Sequence, residues 1–398
     1  MTGLTVKPAE FMILNLAPWQ RIKCENMLLH MLLPSHLKGK ALKKYYDWAA
    51  QHELRELAET GIDGVRVIHF GATLDTPGRA ELLNMQASTS YQGCPFCFHA
   101  WDRGLDRKPD FCGARCFLPL DSPWRAAAVT VDEDLYMFKS AETRSPPLKR
   151  TTQTTAECVA CATATRPFCG HKGTPMQSLW PGFTWEWCLA DWMHDLKCFC
   201  DMCLRTLVGK HSSYGMYKGW KKDDAHRREC EVHGIFPEVW DLEASLPWRL
   251  TREQVDMLDE KVRRMWWPHY RDKLHSKGFS FWKKTKNCWK SKHKLTILLV
   301  LLPTLLCGCV PAVHRAIMKI VFALRRLDGL VISLAEAKKR GVQPGSHVLP
   351  KGILKSVNRD LILGIVMLEG CFPVSMLNTT LHHILHYGEQ TGLNGCLR

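Results

Sequence analysis

Eighteen cysteines in 398 residues constrain this chain more than any other feature. That many thiols must be oxidised to disulfides, hold metal, or be buried as small apolar side chains. The compartment decides between the first two. The first thirty residues, MTGLTVKPAEFMILNLAPWQRIKCENMLLH, contain only a seven-residue apolar run, interrupted by Asn15 and closed by Pro18, and do not read as a secretory signal. The expectation is therefore an intracellular chain with reduced thiols, whose CxxC units point to zinc.

The series runs Cys94-x2-Cys97, Cys112-x3-Cys116, Cys158-x2-Cys161, then Cys169-x-His171. Tetrahedral zinc takes four soft ligands, and a CxxC turn brings two thiolates to the same side of a short loop. The simplest partition places Cys94, Cys97, Cys112 and Cys116 at one structural zinc and Cys158, Cys161, Cys169 and His171 at another; free, partly buried thiols are the alternative. All of these lie in residues 93–184, where helical periodicity disappears and glycine, proline and cysteine rise. A loop-rich stretch of that length inside a compact domain needs something to pin it. Ser140 to Thr155 reads as an exposed linker within this insertion.

The flanking regions differ. Residues 1–92 read as an α/β unit: a strand at Phe11 to Leu16, a helix from His36 to Thr60 closed by Gly61, and a strand at Val65 to Phe70 with Asp75 soon after. Residues 185–398 read as mainly helical. Leu189 to Val208 forms one helix, Thr251 with Gln254 makes a capping box for a second that Pro268 stops, and Ser375 caps a last helix through Tyr387. Cys198, Cys200 and Cys203 lie on the helix from Leu189 and suit core packing, while Asp191, His194 and Cys198 share a face that suits metal ligation, acid–base chemistry or a polar patch. Leu295 to Val313 is nineteen uncharged residues, but Pro303 and Pro311 interrupt it, so it reads as buried core helices rather than a membrane span.

The charge surplus of +15 is concentrated. Residues 261–294 hold twelve Lys or Arg against one acid, Asp272, a surplus of +11 in 34 residues. Aromatics are interleaved, so Lys283, Lys284, Lys286, Lys290 and Lys292 with Trp282 and Trp289 are candidates for contacting phosphates and stacking on bases. A solvated basic face over a helical core is the bland counterpart. No GxxxxGK[ST], no GxGxxG after a strand and no GxSxG elbow occurs, which leaves nucleotide hydrolysis, dinucleotide binding and serine hydrolysis without support. His382, His383 and His386 imitate a zinc-protease helix, but His383 stands where the general-base glutamate is required.

Four stretches carry a family resemblance: ILNLAPWQRIKCENMLL at 13–29, GCPFC at 93–97 beyond LDTPGRAE at 74–81, GHKGTPMQSLWPGF at 170–183, and DWMH at 191–194. Together they resemble the DDE transposases of the CACTA (En/Spm) type and their relatives in fungi and protists, over about residues 11 to 330. The resemblance implies an RNase H-like core whose three carboxylates hold divalent metal, usually Mg²⁺, for DNA strand cleavage and transfer. By position Asp75 would be the second carboxylate, with Asp191 as the alternative, while the first Asp and the late Glu have no counterpart in the chain.

The expected protein is thus an α/β, incomplete RNase H-like core (1–92), a cysteine-rich zinc insertion (93–184) and a helical region (185–398). It would be a nuclear DNA-binding transposase remnant, compatible with a homo-oligomer, holding structural zinc, and Mg²⁺ only if a complete carboxylate site exists. A non-enzymatic, zinc-stabilised protein- or RNA-binding adaptor is the alternative.

Overall fold

The computed structural model describes residues 6–12, 27–34, 44–66 except 46–47, 72–137 except 104–108, 112 and 127, 145–208 except 176–177 and 179–180, 248–265, 291–327, 352–372 and 376–394, with isolated positions between 330 and 349. The described residues are mainly helical.

Two helices form the centre of the core. In α8 (Pro311–Leu327), Ala312, Val313, Ala316, Ile317, Ile320, Val321, Leu324 and Leu327 recur at helical spacing and are buried. In α9 (Ile353–Cys371), Val357, Leu361, Ile365 and Leu368 do the same. Each large aliphatic side chain buried here contributes about 1.5–3 kcal/mol. Gly364 lets the two helices approach closely, since a Cβ there would stand 2.6 Å from Cγ1 of Ile320.

The apolar stretch from Leu295 does not make one span. Helix α6 (Ser291–Thr296) continues through a π-helical turn, Ile297–Leu301, into α7 (Leu302–Leu305), and the chain then reverses at Gly308 (φ 79°) before α8. Pro303 has no N–H for the carbonyl of Leu299, one turn earlier. Arg325 of α8 donates to that carbonyl instead. Among the described residues no helix is long and apolar enough to cross a membrane.

Around this core lie α4 (Trp192–Val208) and α5 (Arg252–Arg264). Cys200 and Cys203 of α4 are fully buried among Phe199, Leu204 and Leu207, and burial raises both thiols well above their usual range, so they act as apolar packing. The Thr251/Gln254 capping box of α5 is present in both halves. Gly61 takes the left-handed conformation (φ 77°) after α1 (Arg55–Glu59), as a C-terminal glycine should. The last helix is displaced from its expected place. Asn378 caps α10 (Thr379–Ile384), which a turn separates from α11 (Tyr387–Asn394), so Gly388 lies inside a helix against Asn358.

The strands depart furthest from expectation. They form two-stranded ladders and no larger sheet among the described residues. Strand β1 (Val6–Met12) pairs antiparallel with β2 (Met27–Pro34) and contains Phe11 and Met12 of the expected first strand, whose residues 13–16 lie outside the described residues. β3 is Ala72–Leu74, further along than the alternating segment at 65–70, of which 67–70 lie outside the described residues. It is followed by α2 (Thr76–Leu82) and pairs in parallel with β6 (Cys188–Ala190). Between them, β4 (Ala128–Val131) and β5 (Asp134–Met137) make a hairpin whose turn residues Asp132 and Glu133 both have positive φ. Arg315 ties this hairpin to α8 through Asp132 and Asp134.

The insertion packs on the same core as the helices. Glu369 of α9 accepts hydrogen bonds from the Gly113 and Ala114 amides at 2.9 and 3.0 Å. Burial pushes its carboxyl up to about 7 from 4.5, against the opposing pull of Arg115 and the two amides. A carboxyl raised on folding stabilises most below the unfolded value, so this contribution should be full below pH 4.5 and lost as pH rises through about 7. Glu369→Gln, which keeps an acceptor without the charge, should flatten that pH dependence in urea unfolding. Glu369→Ala should cost about 1–3 kcal/mol by stranding two buried amides.

Candidate metal centre

Cys94 and Cys97 lie on a turn in which the Phe96 amide donates to Cys94 Sγ at 3.4 Å. Backbone carbonyls of such a turn need donors, and no regular secondary structure supplies them. Arg150 does. Its Nε donates to the carbonyls of Cys94 (2.8 Å) and Cys97 (2.9 Å), and Nη2 donates to that of Cys169 (2.8 Å). Arg150 is 3% exposed, so the end of the stretch read as an exposed linker is part of the interior.

The other half of the centre comes from α10 and the turn after it. His382 and His386 are four residues apart and face the two thiols: Cys97 Sγ is 3.2 Å from His382 Nε2, Cys94 Sγ is 3.6 Å from His386 Nε2, and the two ring nitrogens are 3.4 Å apart. All four are buried and their ligand atoms lie within 4.8 Å of one another. A tetrahedral ion with bonds of about 2.3 Å to sulfur and 2.0–2.1 Å to nitrogen needs S···N edges of about 3.5 Å and an N···N edge of about 3.3 Å. Three of the contacts are thus near the edges of such a site, and the four side chains could hold a metal ion.

The electrostatics suit that use. Burial opposes ionisation of Cys94, but the hydrogen bond from Cys97 and the rings of His382 and His386 outweigh it and hold this thiol well below the usual range. Burial, with the neighbouring Cys94, pushes Cys97 well up. Burial holds His382 down at about 3, against the opposing pull of Cys94. Trp101 and His99 pack against His382, their rings 4.5 and 5.2 Å from its ring.

The remaining candidate ligands are placed otherwise. Cys112 lies outside the described residues, and Cys116 is buried in the 3-10 turn Ala114–Phe117 apart from the four. Among the described residues, Cys94 and Cys97 gather with His382 and His386 in a set that could hold a metal ion, and Cys116 is not part of that set. Cys158 of α3 (Thr152–Cys161) has its thiol hydrogen-bonded to that of Cys169, whereas Cys161 is exposed. His171 is turned to Arg150, with Nε2 2.7 Å from Nη1, and burial and that cation hold it down at about 4. Among the described residues these do not gather into a second set of three or more ligand atoms.

A second polar site lies at the ends of β3 and β6. Leu74 and Ala190 are register partners in the parallel pair, and each is followed directly by an aspartate. Asp75 caps α2, accepting from the Gly78 amide at 2.8 Å. Asp191 caps α4, accepting from the His194 amide at 3.1 Å, and its other oxygen lies 2.5 Å from His194 Nδ1. Cys198, expected on the same face, lines a small cavity of about 160 Å³ with Asp201 and Arg205.

Of the basic segment, Trp282, Lys283, Lys284, Lys286, Trp289 and Lys290 lie outside the described residues, and Lys292 is on α6. Lys294 does not belong to a solvated basic face, because it is buried in an ion pair with Asp201 at 2.5 Å. Compared with known protein families, characterised proteins and solved structures, the chain matches none of them.

Protein purified without chelator should carry about one thiophilic divalent ion per chain by elemental mass spectrometry. His382→Ala should abolish it and Cys158→Ser should not; the reverse pattern would place the ion at the wrong cysteines.

Proposed function

We propose that the chain is a transposase-like DNA-binding protein in which a structural zinc at Cys94, Cys97, His382 and His386 accompanies a divalent-cation site at Asp75 and Asp191. The observation that carries the second half is the parallel register of β3 and β6, which delivers both aspartates to the same end of two strands about 5 Å apart. In the sequence resemblance Asp191 stood only as an alternative to Asp75. We read the shared register as pairing them. Two sulfur and two imidazole donors in tetrahedral array favour zinc, and two carboxylates favour a hard cation such as Mg²⁺.

A cation held there would polarise a phosphodiester and stabilise the leaving oxygen. Asp75 and Asp191 would hold it, and His194 fixes the orientation of the Asp191 carboxylate. Asp195, one turn on, is buried and turned to His383, and Glu389 is paired with Lys149 at 2.7 Å, so neither adds a third carboxylate in this arrangement. The resulting cation affinity is weaker than a three-carboxylate site would have. DNA as partner, and with it a nuclear location, rests on the concentration of Lys and Arg over 261–294.

The engagement of both aspartates as helix caps favours a second reading, a zinc-stabilised adaptor without catalysis. Manganese affinity measured by electron paramagnetic resonance separates the two. Asp75→Asn and Asp191→Asn should each weaken binding by about tenfold, in line with a loss of about 1.4 kcal/mol, and should abolish Mg²⁺-dependent nicking. Unchanged affinity in both variants would leave the adaptor. Replacing Lys283, Lys284, Lys286, Lys290 and Lys292 by Gln should flatten the salt dependence of DNA affinity; an unchanged slope would remove DNA contact from this segment.

A further inference from the structure

Two lines of contact join the metal centre to the ends of β3 and β6, one from each half of the ligand set. The first starts at Phe96, which sits between the two cysteine ligands. The guanidinium of Arg79 stands over its ring, 5.0 Å from the centroid, and Nη2 of Arg79 donates at 2.9 Å to the carbonyl of Leu74, the residue before Asp75. Arg79 is only 1% exposed, so this contact is made without competing water.

The second line starts at His383, which sits between the two histidine ligands. Its Nδ1 lies 3.4 Å from Oδ1 of Asp195, and both side chains are buried. Asp195 is one helical turn beyond Asp191, and its amide donates to the Asp191 carbonyl at 3.0 Å. Helix α11 supports the same strand end: Gln390 Oε1 accepts from the Ala190 amide at 3.3 Å, and the Tyr387 ring packs on Trp192 at 3.8 Å.

We propose that the Cys2His2 centre sets the spacing of Asp75 and Asp191, so that loading of the thiophilic site is a precondition for divalent-cation binding at the strand ends, with Arg79, Asp195 and His383 as the positioning residues. The cation half of this inference rests on the function proposed above. Closing Cys94, Cys97, His382 and His386 on one ion fixes the CxxC turn against α10. Phe96 and His383 are then fixed too, and through Arg79 and Asp195 so are the backbone of Leu74 and the first turn of α4. A two-carboxylate site depends steeply on the separation of its oxygens. Coupling between sites of this kind is commonly about 5–150-fold in affinity.

Hydrogen exchange on the full chain tests the mechanical half without reference to cation binding. Removing the thiophilic metal with a chelator should lower amide protection at 72–75 and 188–195 while 311–327 and 353–371 stay protected. Undiminished protection at the strand ends would overturn the inference. Manganese affinity tests the other half. Asp195→Leu should keep its thiophilic metal by elemental analysis yet bind Mn²⁺ about tenfold more weakly, and Asp195→Asn, which keeps an acceptor for His383, should restore wild-type affinity. A metal-loaded Asp195→Leu protein with wild-type Mn²⁺ affinity would overturn the coupling. Wild-type Mn²⁺ binding that ignores Asp75→Asn and Asp191→Asn would instead sink the cation-site reading, while the exchange result would still decide whether the metal centre holds the strands.

Discussion

The meeting of a CxxC turn with an H-x3-H pair is the constraint on which the rest of this structure depends. Cys97 and His382 are 285 residues apart, and closing a flexible loop of that length costs about 5 kcal/mol. Buried aliphatic surface between α8 and α9 offsets part of that cost, and a thiolate–imidazole set of this kind would add about 10–16 kcal/mol if it held zinc. The site closes the path of the chain. It joins the insertion to the last helices, and between those two halves stand β3, β6 and their aspartates.

Arginine does the work that secondary structure does elsewhere. The insertion has few ladders and short turns, so its carbonyls need other donors. Arg150 supplies the CxxC turn, and Arg125 donates to the carbonyls of Arg115, Cys116 and Leu118. A planar fork of five donors on an always-charged group suits the role, where lysine offers a point charge. Net charge of +15 therefore overstates how much basic surface the chain shows. Arg79, Arg125 and Arg150 are interior, and Lys294 is spent on Asp201.

Much of the local structure was legible in the sequence. The Thr251/Gln254 box, Gly61 after a helix, the packing of Cys200 and Cys203, and the interruption of Leu295 to Val313 all follow from forces acting within one or two turns. The ligand pair Cys94 and Cys97 was legible for the same reason. His382 and His386 were visible but set aside for lack of a general-base glutamate, a test of zinc-protease chemistry that does not bear on whether the two rings could hold a metal ion. Their spacing is that of the second half of a Cys2His2 site, and only their distance from the first half concealed it. The parallel pairing of β3 with β6 was not legible, because a three-residue strand carries no periodicity of its own.

Sequence alone thus determined which residues had the chemistry: a soft-ligand turn, histidines four apart, an aspartate after a strand, another on a helix, and a run of lysines. Tertiary structure decided which of them meet. Short-range preferences are set by backbone sterics and neighbouring side chains, which the sequence spells out. Contacts across nearly three hundred residues depend on how helices pack. That packing brought His382 and His386 to Cys94 and Cys97, and set Asp75 beside Asp191.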